Sequence, residues 1–132
     1  HGLWEGKLEK EIKDKWPKLL ADWHQKPEDV TMPEGESIKE VAKRSISAWE
    51  NICESQENDD ITLLVAHDAV NKTIICHILG LDCSNIWMIK QGNGGITVID
   101  IFKDPNKDNI VSSLNITSHL GGILDPTAKG AL

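Results

Sequence analysis

The sequence predicts an α/β fold, and three observations predict it. Residues 61–66, "ITLLVA", form a continuous apolar run that passes straight into His67-Asp68 and a helical pattern. Such a run marks a strand buried on both faces, handing over to a helix. Ser37 and Glu40 stand at capping-box spacing ahead of an amphipathic segment. Two β-prone segments, 96–102 and 110–116, follow later in the chain. Helices and strands in this order pack as layers around one core.

The elements follow in order. Leu8, Ile12 and Trp16 recur at helical spacing within a helix expected over residues 7–16. Pro17 breaks or restarts it, and residues 18–25 continue as helix, burying Leu19, Leu20 and Trp23. "QKPEDVTMPEGES" reads as a loop, punctuated by Pro27, Pro33 and Gly35. Ile38, Val41, Ala42, Ile46, Trp49, Ile52 and Cys53 line one face of a helix running to about residue 54. "ESQENDD" is a solvated turn before the 61–66 strand. The next helix spans 69–79, with Asp68 expected as N-cap and Gly80 in the C′ position. Ser84 is expected to cap a short turn carrying Ile86 and Trp87. "KQGNGG" is a turn, "KDPNKDN" joins the last two strands as a hairpin, and residues 117–132 read as a surface tail. A strand buried on both faces needs several neighbours, and only two others are legible, so at least one strand is expected to be missing.

Composition bounds the function. The chain has 132 residues, the length of one domain, with 39% hydrophobic and 27% charged residues. A net charge of −7 argues against nucleic acid or an anionic membrane as a partner. No apolar run reaches the roughly 20 residues of a membrane span. Cys53, Cys76 and Cys83 form an odd set without metal-ligand spacing, so reduced thiols in a cytoplasm are expected. The first residue is His1 rather than Met, and "HGLWEG" reads as the interior of a motif, so the chain is expected to be a piece of something longer.

His67 carries the chemistry. A strand that ends in His-Asp and opens a helix presents unpaired backbone N–H groups and the positive end of a helix dipole, a place where anions bind. A histidine there donates to a phosphate oxygen or moves a proton. A histidine that merely satisfies backbone carbonyls at the edge of the core is the plainer alternative. Phosphoryl transfer also needs a nucleophile, an acid and several cationic donors. Arg44 is the only arginine, and Lys72 lies one turn after His67, so the inventory is short.

Several motifs in order now resemble one family. "LLVAHDAVNKTIICHILGL" followed by "QGNGGITVIDI" resembles the second half of the histidine phosphatase superfamily, the phosphoglycerate mutase-like enzymes. "HGLWEGKLEKEI" is similar to the segment after that family's general acid. "MPEGES", with Arg44 eight residues after Glu36, is similar to its loop and helix. "LNITSHLGG" is similar to the phosphoglycerate mutase-like proteins of cyanobacteria and, more distantly, to plant carboxyarabinitol-phosphate phosphatases.

The resemblance implies a three-layer α/β/α fold with a mixed sheet, incomplete here because the first central strand is absent. It also implies catalysis without a metal or other cofactor. A histidine in an Arg-His-Gly motif attacks phosphorus, a second histidine stabilises the phosphoryl group, and an acid protonates the leaving oxygen. His67 matches the second histidine, assisted by the backbone at Asp68 and Ala69. No Arg-His-Gly triplet occurs in the sequence, and Asp68 replaces the family's usual glycine. Asn93 matches an asparagine near the site floor, although a turn asparagine between glycines explains itself. Glu5 matches the segment that shapes the pocket but is not read as the acid. Glu36 is expected to pair with Arg44 or form the rim, Ser37 to cap a helix, and Arg44 to be structural. His24, His77 and His119 share no metal spacing with the cysteines, and core packing is the default for the five tryptophans.

The expected function is therefore a phosphatase acting on a small phosphorylated metabolite, with this chain inactive by itself. A mutase, an inactive module that binds an anion or a partner, and a chain completed by a second polypeptide are the alternatives. An exposed central strand edge favours self-association.

Overall fold

In the computed structural model residues 1–121 are described. The chain opens on a 3-10 turn, Gly2–Trp4. Helix α1, Glu9–Lys15, begins where the Glu11 carboxylate accepts from the Leu8 N–H at 2.8 Å. Helix α2, Pro17–Gln25, begins on Pro17, which has no N–H to leave unpaired at that position. Ile12, Leu20 and Trp23 point into the core. Leu8 does not: it is exposed, and Trp16 is half-buried.

The stretch after α2 is more than a connector. A 3-10 turn, Pro27–Asp29, and a bridge between Thr31 and Ser37 fold it back on itself. Pro27, Val30 and Met32 are buried there. Its proline and glycine content marked it as a turn region and hid the apolar residues between.

Helix α3, Ile38–Ser55, starts on the expected capping box. The Glu40 N–H donates to Ser37 Oγ at 3.2 Å, and the Ser37 N–H donates to the Glu40 carboxylate at 2.8 Å. Ser37→Ala is expected to lower stability by about 1 kcal/mol in urea unfolding. The Ser37 N–H and then its hydroxyl hold the Glu40 carboxyl below the usual carboxylate range. A lowered folded pKa means a contribution present above the unfolded value and lost as pH falls through the folded one. The stability difference between wild type and Glu40→Gln is therefore expected at neutral pH and should be lost as pH falls through the lowered folded value of the Glu40 carboxyl.

Residues 61–66 correct the expectation of a strand buried on both faces. They belong to no ladder, and Ile61 is 99%, Leu63 84% and Val65 83% exposed. A strand exists through backbone bonds to a neighbour, and no described residue pairs with these in a ladder. The segment has the side chains of a central strand without the partner.

Helix α4, Asp68–Ile78, packs along α3, and a 2.8 Å hydrogen bond between the Ser45 and Thr73 hydroxyls pins the pair. Its end follows expectation. Gly80 has φ +65, its N–H donates to the His77 carbonyl, and the Leu81 N–H donates to the Cys76 carbonyl at 2.8 Å. Its start differs: His67 is the N-cap and Asp68 the first helical residue.

A 3-10 turn, Cys83–Met88, is capped by Asp82, which accepts from the Ser84 N–H at 2.8 Å, rather than by Ser84. Strands β1, Ile96–Asp100, and β2, Ile110–Ile116, form an antiparallel pair with Ile96 opposite Ile116 and Asp100 opposite Ile110. Two register shifts lie between those pairs. This hairpin is the whole sheet among the described residues. Of the expected tail, Ser118–Leu120 forms a 3-10 turn, and residues 122–132 lie outside the described residues. No helix among the described residues is long and apolar enough to cross a membrane.

Candidate functional site

The site is assembled by three segments distant in sequence. Gly2 and Gly35 bring the first two together. Gly2 has φ +54, and a Cβ there would stand 2.2 Å from the Pro33 carbonyl oxygen; a Cβ on Gly35 would stand 2.7 Å from the Gly2 nitrogen. Only glycine admits this backbone approach. The Leu3 N–H then donates to the Pro33 carbonyl at 2.8 Å. Trp4 is buried, and Glu5 and Glu36 both line the cavity.

The third segment is the start of α4. His67 has extended backbone, φ −73 and ψ 158, and its carbonyl accepts the first helical hydrogen bond from the Asn71 N–H at 3.0 Å. The Asn71 side chain donates to the Ala66 carbonyl at 3.1 Å. These two bonds fix His67 on both sides. Its imidazole takes no part in capping, has no hydrogen-bond partner among the described residues and is exposed. A histidine occupied with backbone carbonyls does not describe it.

A cavity of about 720 Å³ lies between these segments. Its lining includes Glu5, Glu36, Ser37, Arg44, His67, Asp68 and Ala69. Asn93 is not among them. It sits in a turn closed by the Gly95 N–H on the Gly92 carbonyl at 2.9 Å, with Gly94 at φ +71. His119 meets that turn as well, Nε2 lying 3.0 Å from the Gly94 carbonyl oxygen, and it does not line the cavity.

Arg44 and Glu36 form a two-point pair, Nε to Oε1 at 2.7 Å and Nη2 to Oε2 at 2.9 Å. The Arg44 guanidinium holds the Glu36 carboxyl below the usual range, and Glu36 raises Arg44 in turn. The pair is roughly half exposed, so it adds little stability. Its effect is to engage two of the arginine's N–H groups at the cavity wall, the pairing with Glu36 that the sequence predicts.

Asp68 departs from the expected cap. Its Oδ2 lies 2.9 Å from Lys72 Nζ, one turn along α4, and both side chains are largely buried. Lys72 also lies over the Trp87 ring, 5.0 Å from its centre. Trp87 is placed by its own Nε1–H, which donates to the Trp23 carbonyl at 3.1 Å, and by an edge-on contact with the Trp23 ring at 5.2 Å. Trp4, Trp23 and Trp49 are core residues as expected, whereas Trp87 is 37% exposed and forms cavity wall. Sequence reasoning noted Lys72 by its spacing but missed its burial. The i,i+4 spacing of Asp68 and Lys72 was the available signal.

Among the described residues no group of three or more His, Cys, Asp or Glu side chains is placed to hold a metal ion. Burial pushes the Cys76 and Cys83 thiols up, away from thiolate chemistry. The site can offer an anion the α4 N–H groups and the His67 imidazole, within walls of tryptophan and paired charge.

The chain is similar to known proteins. The family model of the histidine phosphatase superfamily (branch 1) matches residues 1–113. "Phosphoserine phosphatase 1" of Hydrogenobacter thermophilus is 31% identical over 121 residues, which are 92% of this chain and 56% of that protein. The "2-carboxy-D-arabinitol-1-phosphatase" of Triticum aestivum is 31% identical over 101 residues, 76% of this chain and 20% of that protein. Among solved structures, Bacillus stearothermophilus YhfR superposes with a TM-score of 0.74 at 24% identity, over 84% of this chain and 54% of that one. The alpha-ribazole phosphatase from Shigella flexneri superposes with a TM-score of 0.70 at 18% identity, over 87% and 55%. The expected α/β, phosphoglycerate mutase-like fold is thereby shown, and the chain spans about half the length of these structures.

Proposed function

Because the chain belongs to the histidine phosphatase superfamily, branch 1, we propose that it is the phosphate-stabilising part of a phosphomonoesterase that works through a phosphohistidine without a metal. In this reading His67 donates to the phosphoryl oxygens, and the first N–H groups of α4, at Asp68 and Ala69, point at the same oxygens. Glu5, with Glu36, Ser37 and Arg44, shapes the wall that meets the rest of the substrate. The observation that carries the reading is His67 as N-cap of α4 at a cavity, with its imidazole left unoccupied.

The substrate class is a small phosphorylated metabolite. The relatives at 31% identity are named as phosphatases, which favours a phosphatase over a mutase. Residues 1–132 hold no Arg-His-Gly triplet. In this reading they bind the phosphoryl group by themselves and do not turn it over.

The test is a titration of the 132-residue chain with inorganic phosphate, followed through the His67 ring resonances. Saturable shifts are expected, with affinity reduced at least about tenfold in His67→Ala, the order of one charge-assisted hydrogen bond. Binding that is unaffected by His67→Ala would overturn the role of His67. Turnover of p-nitrophenyl phosphate by the chain alone would overturn its inactivity.

A further inference from the structure

The proposed phosphate site contains a conflict. Asp68 places a carboxylate on the first residue of α4, beside His67, where a phosphoryl dianion is to sit. A like charge at that distance weakens anion binding unless it is neutralised. The local cations are few. Arg44 is paired with Glu36 through Nε and Nη2, and Lys7 is exposed at the cavity wall. Lys72 is the buried cation among the described lining residues: its side chain is 6% exposed, its Nζ is 2.9 Å from Asp68 Oδ2, and it rests on the Trp87 ring.

A buried ammonium is costly, and a surface lysine on the same helix would carry no such cost. The position is maintained by two partners at once, the Asp68 carboxylate and the face of Trp87, which the Trp23 carbonyl locks in place. The other carboxylate oxygen, Asp68 Oδ1, is buried with no hydrogen-bond partner among the described residues. The carboxylate is therefore oriented by Lys72 rather than by the helix N-terminus. It leaves the N–H groups of α4 uncapped by its own side chain.

We propose that Lys72 is the positioning residue of the anion site: it neutralises Asp68 and draws it to the side of α4, so that the helix N-terminus beside His67 stays open to a phosphoryl group. The inference rests on the phosphate reading above. It adds that the residue in the position after His67 is tolerated as an acid only because of the residue one turn later.

The experiment is phosphate titration at low ionic strength of wild type, Lys72→Met, Asp68→Asn and the double variant. Lys72→Met is expected to weaken binding about tenfold, Asp68→Asn to tighten it severalfold, and the double variant to return toward wild type, as charges coupled across one turn require. Added salt should shrink these differences. Weakening in all three variants alike, without rescue in the double, would overturn the proposal and leave the pair a packing feature. Should Lys72→Met fail to fold, Asp68→Asn decides: tighter binding supports the proposal, and equal or weaker binding overturns it. Absence of binding in wild type overturns the phosphate reading itself, and the inference with it.

Discussion

Ile12→Ala is expected to destabilise the chain by about 2–5 kcal/mol, a large share of the stability of a domain this size. Ile12 is fully buried on α1, in one cluster with Trp4, Leu20, Trp23 and Val30. Removing its three outer carbons leaves a void that rigid neighbours on both α1 and α2 cannot close. Leu63→Ala is the paired control. Leucine and isoleucine are near equals in hydrophobicity, but Leu63 is 84% exposed. Its truncation is expected to change stability by no more than about 0.5 kcal/mol. Urea unfolding at a constant m-value reads both. A Leu63 cost comparable to that of Ile12 would mean that residues 61–66 are buried in solution, against the structure, by association between copies or otherwise. Dependence of that cost on protein concentration would identify association.

Asp68→Ala is expected to be the second large loss, about 3 kcal/mol or more, because it leaves the Lys72 ammonium buried without its counter-charge. The aromatic face of Trp87 remains, and such a contact contributes about 2 kcal/mol at a desolvated site, less than the lost pair. Asp68→Asn should cost clearly less, since an amide oxygen still accepts from Lys72. Thermal unfolding of the two variants side by side separates charge from packing. Equal and small effects from both would show that the ion pair is hydrated in solution. An exposed pair such as Arg44 with Glu36 provides the scale for that outcome, with an expected contribution of about 0–1 kcal/mol.

Much of the local structure was legible. The capping box at Ser37 and Glu40, the restart at Pro17 and the glycine after α4 each act within a few residues of themselves, so spacing alone revealed them. The same holds for residues 110–116, whose pairing partner is the next segment upstream. At the site, six of the residues singled out around His67 do share its cavity: Glu5, Glu36, Ser37, Arg44, Asp68 and Ala69. Asn93 does not, because its turn is committed to the hairpin side of the molecule, where the Gly92 N–H donates to Asn115 Oδ1 at 2.7 Å. The burial of Trp23 was legible, but its carbonyl as the anchor of Trp87, and the roles of Trp87 and Lys72, were not. Burial of a lysine on a helix depends on what packs over that helix, and here Trp87 of the turn at Cys83–Met88 lies against Lys72 and is itself held by Trp23 of α2.

The sequence by itself therefore determined where α3 begins and where α4 ends, that residues 110–116 pair with the segment upstream, and that His67 opens a helix. Each of these is set by hydrogen bonds and side-chain spacing within one element or between adjacent ones. Only the tertiary structure decided that residues 61–66 stand exposed, that Asp68 turns to Lys72 instead of capping α4, and that Gly2 and Gly35 bring the first residues of the chain against the loop at Pro33. A ladder, a buried charge and a backbone crossing each need a partner distant along the chain, and local pattern carries no information about whether that partner is in place.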